Sequence, residues 1–156
     1  MADVVSKKKR SEMMAGIRGK NTKPEIIVRK MLHAMGYRFR LHRKDLPGKP
    51  DIVLPKYRAA IFVNGCFWHG HDCHLFKWPK TREAFWREKI VGNVARDQKK
   101  TQRLLDNGWR VAVIWECSLK GSGKISMEKL EKCLQDWLRK TQPKVEIRGG
   151  SERQTF

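Results

Sequence analysis

Apolar and polar positions along this chain change period several times, and each change marks a new element. Thr22-Lys23-Pro24-Glu25 opens a helix, since Thr22 and Glu25 have capping-box spacing and Pro24 suits a first helical turn. Ile27, Val28, Met31, Leu32 and Met35 then recur on one face until Gly36. Tyr37, Phe39 and Leu41 alternate with Arg38, Arg40 and His42, the pattern of a half-exposed strand. Leu46 to Pro50 reads as a turn, Asp51 to Leu54 as a short strand, and Arg58 to Val63 as an apolar strand. A His- and Cys-rich polar loop runs from Gly65 to about Pro79. Thr81 is the expected cap of a long charged helix whose buried side would use Phe85, Trp86, Ile90, Val94, Leu104 and Leu105, with Asn107-Gly108 as its end. Trp109 to Trp115 is another strand. A last helix starts at Ser126 and uses Leu130, Leu134, Trp137 and Leu138, with Cys133 assigned to the core.

That order, with a strand–helix–strand crossover from Arg58 to Trp115, makes two strands parallel. It predicts an α/β fold: a mixed sheet flanked by helices. Its 156 residues suit one core, read as a basic arm (1–21), a single domain (22–140) and a loose polar tail (141–156). No apolar run reaches the ~18 residues of a membrane span, and the basic N-terminus lacks the apolar segment of a secretory signal. The expected compartment is the cytoplasm, and no membrane partner is expected.

Charge narrows the function. Thirty-five Lys and Arg against sixteen Asp and Glu give +19, which attracts polyanions, nucleic acid above all. A solvated basic surface is the blander reading. Lys7, Lys8, Lys9, Arg10, Arg18 and Lys20 make the arm a segment expected to order on DNA, with a plain tail as the alternative.

Four cysteines in a reducing compartment favour metal over disulfides. Cys66, His71 and Cys73 fall within eight residues, and Cys117 comes much later. The crossover brings them together, because Cys66 and Cys117 each lie just beyond the C-terminal end of a parallel strand. Cys66, His71, Cys73 and Cys117 then form a closed Cys₃His zinc site of the structural type, with His69 and His74 as spare imidazoles. On the other side, Asp51 opens a strand that turns directly into the one ending at Asn64. A carboxylate there can hold Mg²⁺ with phosphate oxygens and water, although Pro-Asp alone is a weak signal.

Three blocks make a resemblance specific: Leu46-Pro47-Gly48-Lys49-Pro50-Asp51, Val63-Asn64-Gly65-Cys66-Phe67-Trp68-His69-Gly70-His71 and Val113-Ile114-Trp115-Glu116-Cys117. Together they resemble the signature segments of very-short-patch repair (Vsr) endonucleases, over about residues 11 to 138. The resemblance implies a restriction-endonuclease-like fold, catalytic Mg²⁺, structural zinc, and nicking of one strand beside a T:G mismatch left by deaminated 5-methylcytosine. By position it implies that Asp51 and the backbone carbonyl of Val63 hold magnesium, and that His69 is the general base. Glu25 would be an acidic residue of the active site, although capping alone also explains it. Asn64 stands where family members carry histidine and cannot carry a proton at neutral pH, which puts that second histidine's role in doubt. Phe67, Trp68 and Trp86 would wedge into the duplex, with core packing as the alternative for Trp86. Met14, neighbour to Met13, would enter from the other groove. Expected partners are double-stranded DNA containing a mismatch and other mismatch-repair proteins, with the protein a monomer. Two alternatives compete: a zinc-stabilised DNA-binding module without catalysis, and a nuclease of the same fold that cuts matched sites.

Overall fold

A computed structural model of the chain describes residues 21–150. Met13, Met14 and the rest of the basic arm up to residue 20 lie outside the described residues. Helix α1 spans Lys23–Ala34, and the Thr22 hydroxyl accepts from the Glu25 N–H at 3.4 Å. Strands follow at Arg40–Leu41 (β1), Ile52–Leu54 (β2) and Ala59–Asn64 (β3). Helix α2 is Glu83–Asp106, β4 is Arg110–Trp115, α3 is Met127–Arg139 and β5 is Lys144–Ile147.

The five strands form one sheet in chain order, β1-β2-β3-β4-β5. The first two pairings are antiparallel, and β3–β4 and β4–β5 are parallel. The mixed sheet and its parallel crossover are as the sequence predicts. Strands β3 and β4 are covered on both faces, so they read as nearly unbroken apolar runs. Ala59 and Ile61 of β3 face the core built with Val28, Leu32, Leu130, Leu134 and Trp137 of α1 and α3. Ala60 and Phe62 face the opposite side with Leu104 of α2. Ser126 caps α3 by accepting from the Lys129 N–H at 3.1 Å. Gly108, at φ +80°, follows the end of α2 at Asn107.

Three expectations need correcting. The strand expected from Tyr37 to His42 is paired only at Arg40–Leu41. Residues from 141 are not simply a loose tail, because Lys144–Ile147 pairs with β4 and buries Val145 and Ile147. Two apolar positions among charged ones are too few for periodicity to register. Thr81 does not cap α2: Arg82 holds the N-cap position in a left-handed conformation without a side-chain cap, and its guanidinium lies 4.2 Å from the exposed Phe85 ring.

Candidate active site and metal centres

The sheet's register builds the thiolate cluster. Asn64 and Trp115 are partners at the ends of β3 and β4, so Cys66 and Cys117, each two residues further on, emerge side by side. The loop after β3 turns back on itself: His69 N–H donates to the Gly65 carbonyl and His71 N–H to the Cys66 carbonyl. The donor atoms of Cys66, His71, Cys73 and Cys117 all come within 4.8 Å of one another, with the Cys117 sulfur 3.6 Å from His71 Nδ1. A hydrogen bond from Cys66, opposed by burial and reinforced by His71 and the Gly149 N–H, lowers the Cys117 pKa to about 4. The same pairing raises the Cys66 thiol. Three sulfurs and one imidazole, nearly enclosed and with one thiolate already favoured, fit a structural zinc ion. Trp115 stacks on His71 at 4.0 Å, which fixes the imidazole plane. The spare candidates stay outside this group: His69 bonds to Asp97 and His74 is exposed.

A separate cleft contains an acidic corner lined by Glu25, His42 and Asp51. Asp51 precedes β2, and its Oδ2 accepts from the Val63 N–H at 2.8 Å. Val63 therefore meets Asp51 through its amide, while the residue also lines the cleft. Glu25, 1% exposed, does more than cap α1. One oxygen accepts from the Asn21 N–H at 2.9 Å, and the other lies 2.9 Å from His42 Nε2. Donor atoms of Glu25, His42 and Asp51 gather within 4.8 Å of one another. Burial, with the Glu25 carboxylate close by, pushes Asp51 up to about 6, against the pull of the Val63 amide and Lys100. Two crowded carboxylates suit a divalent cation, which would relieve their repulsion.

His69 lines the same cleft as this corner. Its Nδ1 is 2.5 Å from Asp97 Oδ2, on the third turn of α2 onward from Trp86. Lys100, one turn later, pairs with the other Asp97 oxygen at 3.0 Å. Burial alone would raise Asp97, but His69 and Lys100 together bring it below the ordinary carboxylate range. An ionised Asp97 accepting from Nδ1–H leaves Nε2 with a lone pair, the tautomer a general base needs. Asn64, 6% exposed, lines the same cleft at the end of β3.

Phe67, Trp68, Trp86 and Phe76 form one aromatic cluster, a finger that includes the two residues preceding His69. Phe67 meets Trp68, Trp86 and Phe76 with ring centroids 5.2, 5.4 and 5.9 Å apart, and Trp68 meets Trp86 at 5.8 Å. Phe67, Trp68 and Trp86 are all partly exposed, so Trp86 is not a core residue. Lys44, Lys49, Lys89, Arg96, Lys99 and Arg103 line the cleft, whose volume is about 1630 Å³.

His42 and Asp97 did not emerge from sequence reasoning as site residues. His42 reads as the solvent side of an alternating strand, and Asp97 as one charge among many on a solvated helix. The spacing of Asn93, Asp97 and Lys100 was the available signal, because it puts them on one helical stripe. Asn93 also donates to the Trp68 carbonyl at 2.8 Å, which ties the finger to α2.

Among known proteins, residues 2–75 match the family model described as DNA mismatch endonuclease Vsr. A type II nicking enzyme, V.XorIIP, from Xanthomonas oryzae pv. oryzae is 54% identical over 125 residues, covering 80% of this chain and 92% of that protein. The DNA mismatch endonuclease Vsr of Escherichia coli (strain K12) is 46% identical over 138 residues, 88% of each chain. A further type II nicking enzyme, V.NmeAIP from Neisseria meningitidis, is 44% identical over 136 residues and covers 87% of this chain and 96% of that one. No helix among the described residues is long and apolar enough to cross a membrane.

Proposed function

This chain belongs to the Vsr family of DNA endonucleases, and on that premise we propose that it nicks one strand of duplex DNA beside a T:G mismatch. The observation that carries the reading is one cleft lined by both the acidic corner of Asp51 and Glu25 and the His69–Asp97 pair. His69 Nε2 takes the proton of the attacking water, and Asp97 holds the ring and stabilises the imidazolium that results. Asp51, with Glu25 beside it, would hold Mg²⁺, with the Val63 carbonyl as a further contact. Magnesium, when bound, neutralises phosphate charge and acidifies the attacking water. Asn64, lining the cleft, would donate to a phosphate oxygen or a water without exchanging a proton.

Phe67, Trp68 and Trp86 supply the wedge. Separating stacked bases costs a few kcal/mol, and a mispaired step costs less, so the finger favours mismatches before any base is read. Lysines and arginines on the cleft rim hold the phosphates. The zinc ligands Cys66, His71, Cys73 and Cys117 would keep the finger stiff, since a floppy loop could not push stacked bases apart. This assignment makes the chain an initiator of very-short-patch repair.

A nicking assay tests it. Otherwise identical duplexes differing only in T:G, T:A and C:G at one position, in a panel of flanking sequences, are incubated with protein and magnesium. Nicking of T:G alone, lost in Asp51→Asn, is the expected result. Equal nicking of T:A assigns matched-site cleavage instead. No nicking by wild type on any duplex leaves a DNA-binding module without chemistry, and equal nicking by wild type and Asp51→Asn removes Asp51 from the reaction.

A further inference from the structure

The acidic corner contains a nitrogen donor that the reading above does not use. His42 follows β1 with its backbone in the left-handed region at φ +49°, a conformation that L residues other than glycine seldom adopt. That turn aims Nε2 inward, 2.9 Å from Glu25 Oε1, and leaves the His42 side chain only 15% exposed. Glu25 does not need His42 for neutralisation. Its other oxygen already accepts from the Asn21 N–H and faces Arg29 at 3.5 Å. Asp51 completes the group, with all three donor atoms within 4.8 Å of one another. Around a six-coordinate first-row ion, with bonds of about 2.1 Å, adjacent donors sit about 3 Å apart and opposite donors about 4.2 Å apart. Glu25 and His42 already stand at the adjacent spacing, at 2.9 Å, and Asp51 lies close enough to join them around one ion.

We propose that His42 is the third protein ligand of this corner, so that the site is two carboxylates and one imidazole and takes Mn²⁺ in preference to Mg²⁺. This rests on reading the cleft as a metal-dependent nuclease centre. Imidazole is a poor partner for the hard, tightly hydrated Mg²⁺ and a good one for first-row transition ions. A site made only of oxygens would give Mn²⁺ a smaller advantage over Mg²⁺ and no nitrogen ligand. Position 42 thus tunes which divalent cation the enzyme uses, separately from Asp51, which decides whether it holds one.

The probe is Mn²⁺ itself, added to the zinc-loaded full chain without DNA. Pulsed electron paramagnetic resonance is expected to detect one coordinated imidazole nitrogen, and labelling histidine with ¹⁵N is expected to change that coupling. His42→Asn keeps a residue tolerant of left-handed backbone but too short to reach Glu25. It is expected to lose the nitrogen coupling and at least about tenfold in Mn²⁺ affinity, with Mg²⁺ competition nearly unchanged. His69→Gln is expected to keep the coupling. Mn²⁺ bound through oxygen alone in wild type, or coupling that persists in His42→Asn, overturns the role of His42 and leaves the nuclease reading standing. Mn²⁺ binding that is absent, or unaffected by Asp51→Asn, overturns the metal centre and this inference together. The wild-type and labelling measurements decide the matter even if His42→Asn fails to fold.

Discussion

Asp51→Asn should make the metal-free protein more stable while removing its activity. The native fold holds the Asp51 carboxyl at about 6, against an ordinary value of 3.8, because it is buried beside Glu25. Below pH about 4 the group is protonated in both folded and unfolded chains, and the native state carries no penalty. As pH rises from there to about 6 the unfolded chain loses the proton first, so this group's contribution falls. Above that the full cost is present, roughly 3 kcal/mol before allowance for partial exposure, or about 1–3 kcal/mol after it. Asparagine has the same shape, carries no charge, and still offers an oxygen to the Val63 N–H, which Asp51 accepts at 2.8 Å. Thermal melts of zinc-loaded protein freed of other divalent ions should put the variant about 3–9 °C above wild type at pH 8. The gap should shrink towards zero near pH 4. Magnesium or manganese at millimolar concentration should raise the wild type's midpoint and leave the variant's unchanged. A variant less stable than wild type at pH 8, or a gap indifferent to pH, would refute the reasoning that the corner is strained by its own charges.

Four further outcomes follow from the same geometry. Asp97→Asn can present an amide N–H to His69 Nδ1 and reverse the ring's tautomer, so single-turnover nicking should slow by about 10²–10⁴-fold with little change in DNA affinity. Trp68→Ala should reduce the ratio of T:G to T:A nicking more than it reduces binding to undamaged duplex, measured side by side on the two substrates. Raising salt from 50 to 200 mM should weaken DNA binding by about 10³–10⁵-fold if six to ten phosphates are contacted, and substituting Lys99 should flatten that slope. Leu134→Ala, in the fully buried side of α3, should lower urea stability by about 2–5 kcal/mol without touching the site's metal content.

How far the site could be read in advance differs residue by residue, for physical reasons. Cys66 and Cys117 are fifty-one positions apart, yet the crossover rule and strand ends were enough to pair them, and β3 and β4 do end in register at Asn64 and Trp115. Backbone topology carries that information, and topology is visible in hydrophobic period. Asp97 and His42 are different, because their roles depend on where a side chain points. Asp97 sits in a 24-residue helix with many charges, and only packing against the loop after β3 selects it. His42 turns inward because its backbone is left-handed, which no periodic pattern records. Strand β5 went unseen for a third reason. Its stabilisation comes from the partner β4 and from Arg148 holding Asp72 at 2.9 Å, both remote in sequence. Glu25 was legible in two ways at once, and the structure keeps both, since one carboxylate oxygen faces the start of α1 and the other faces the cleft.

The proposed general base, His69, stands inside the loop that carries three of the four candidate zinc ligands, and that placement bears on metal loss. His69 lies in sequence between the candidate ligands Cys66 and His71, and its ring is held from α2 by Asp97, with Trp115 of β4 edge-on to it at 6.3 Å. The sheet that carries Asp51 does not depend on the loop in the same way, because Ile52, Ile61 and Ile114 are packed by α1 and α3. Removing zinc should therefore disorder the base and the aromatic finger before the sheet unfolds. Cys73→Ser makes the test gentle, since Cys73 is only partly buried while Cys66 and Cys117 are enclosed. The variant should bind less zinc by elemental analysis, and its far-ultraviolet circular dichroism should stay close to that of wild type. Nicking should fall by at least about 10²-fold, as expected when a base loses its geometry. Mn²⁺ affinity at the acidic corner should hold. Mn²⁺ binding and nicking lost in parallel, with the helical signal, would mean that zinc holds up the whole domain rather than the loop that carries the base.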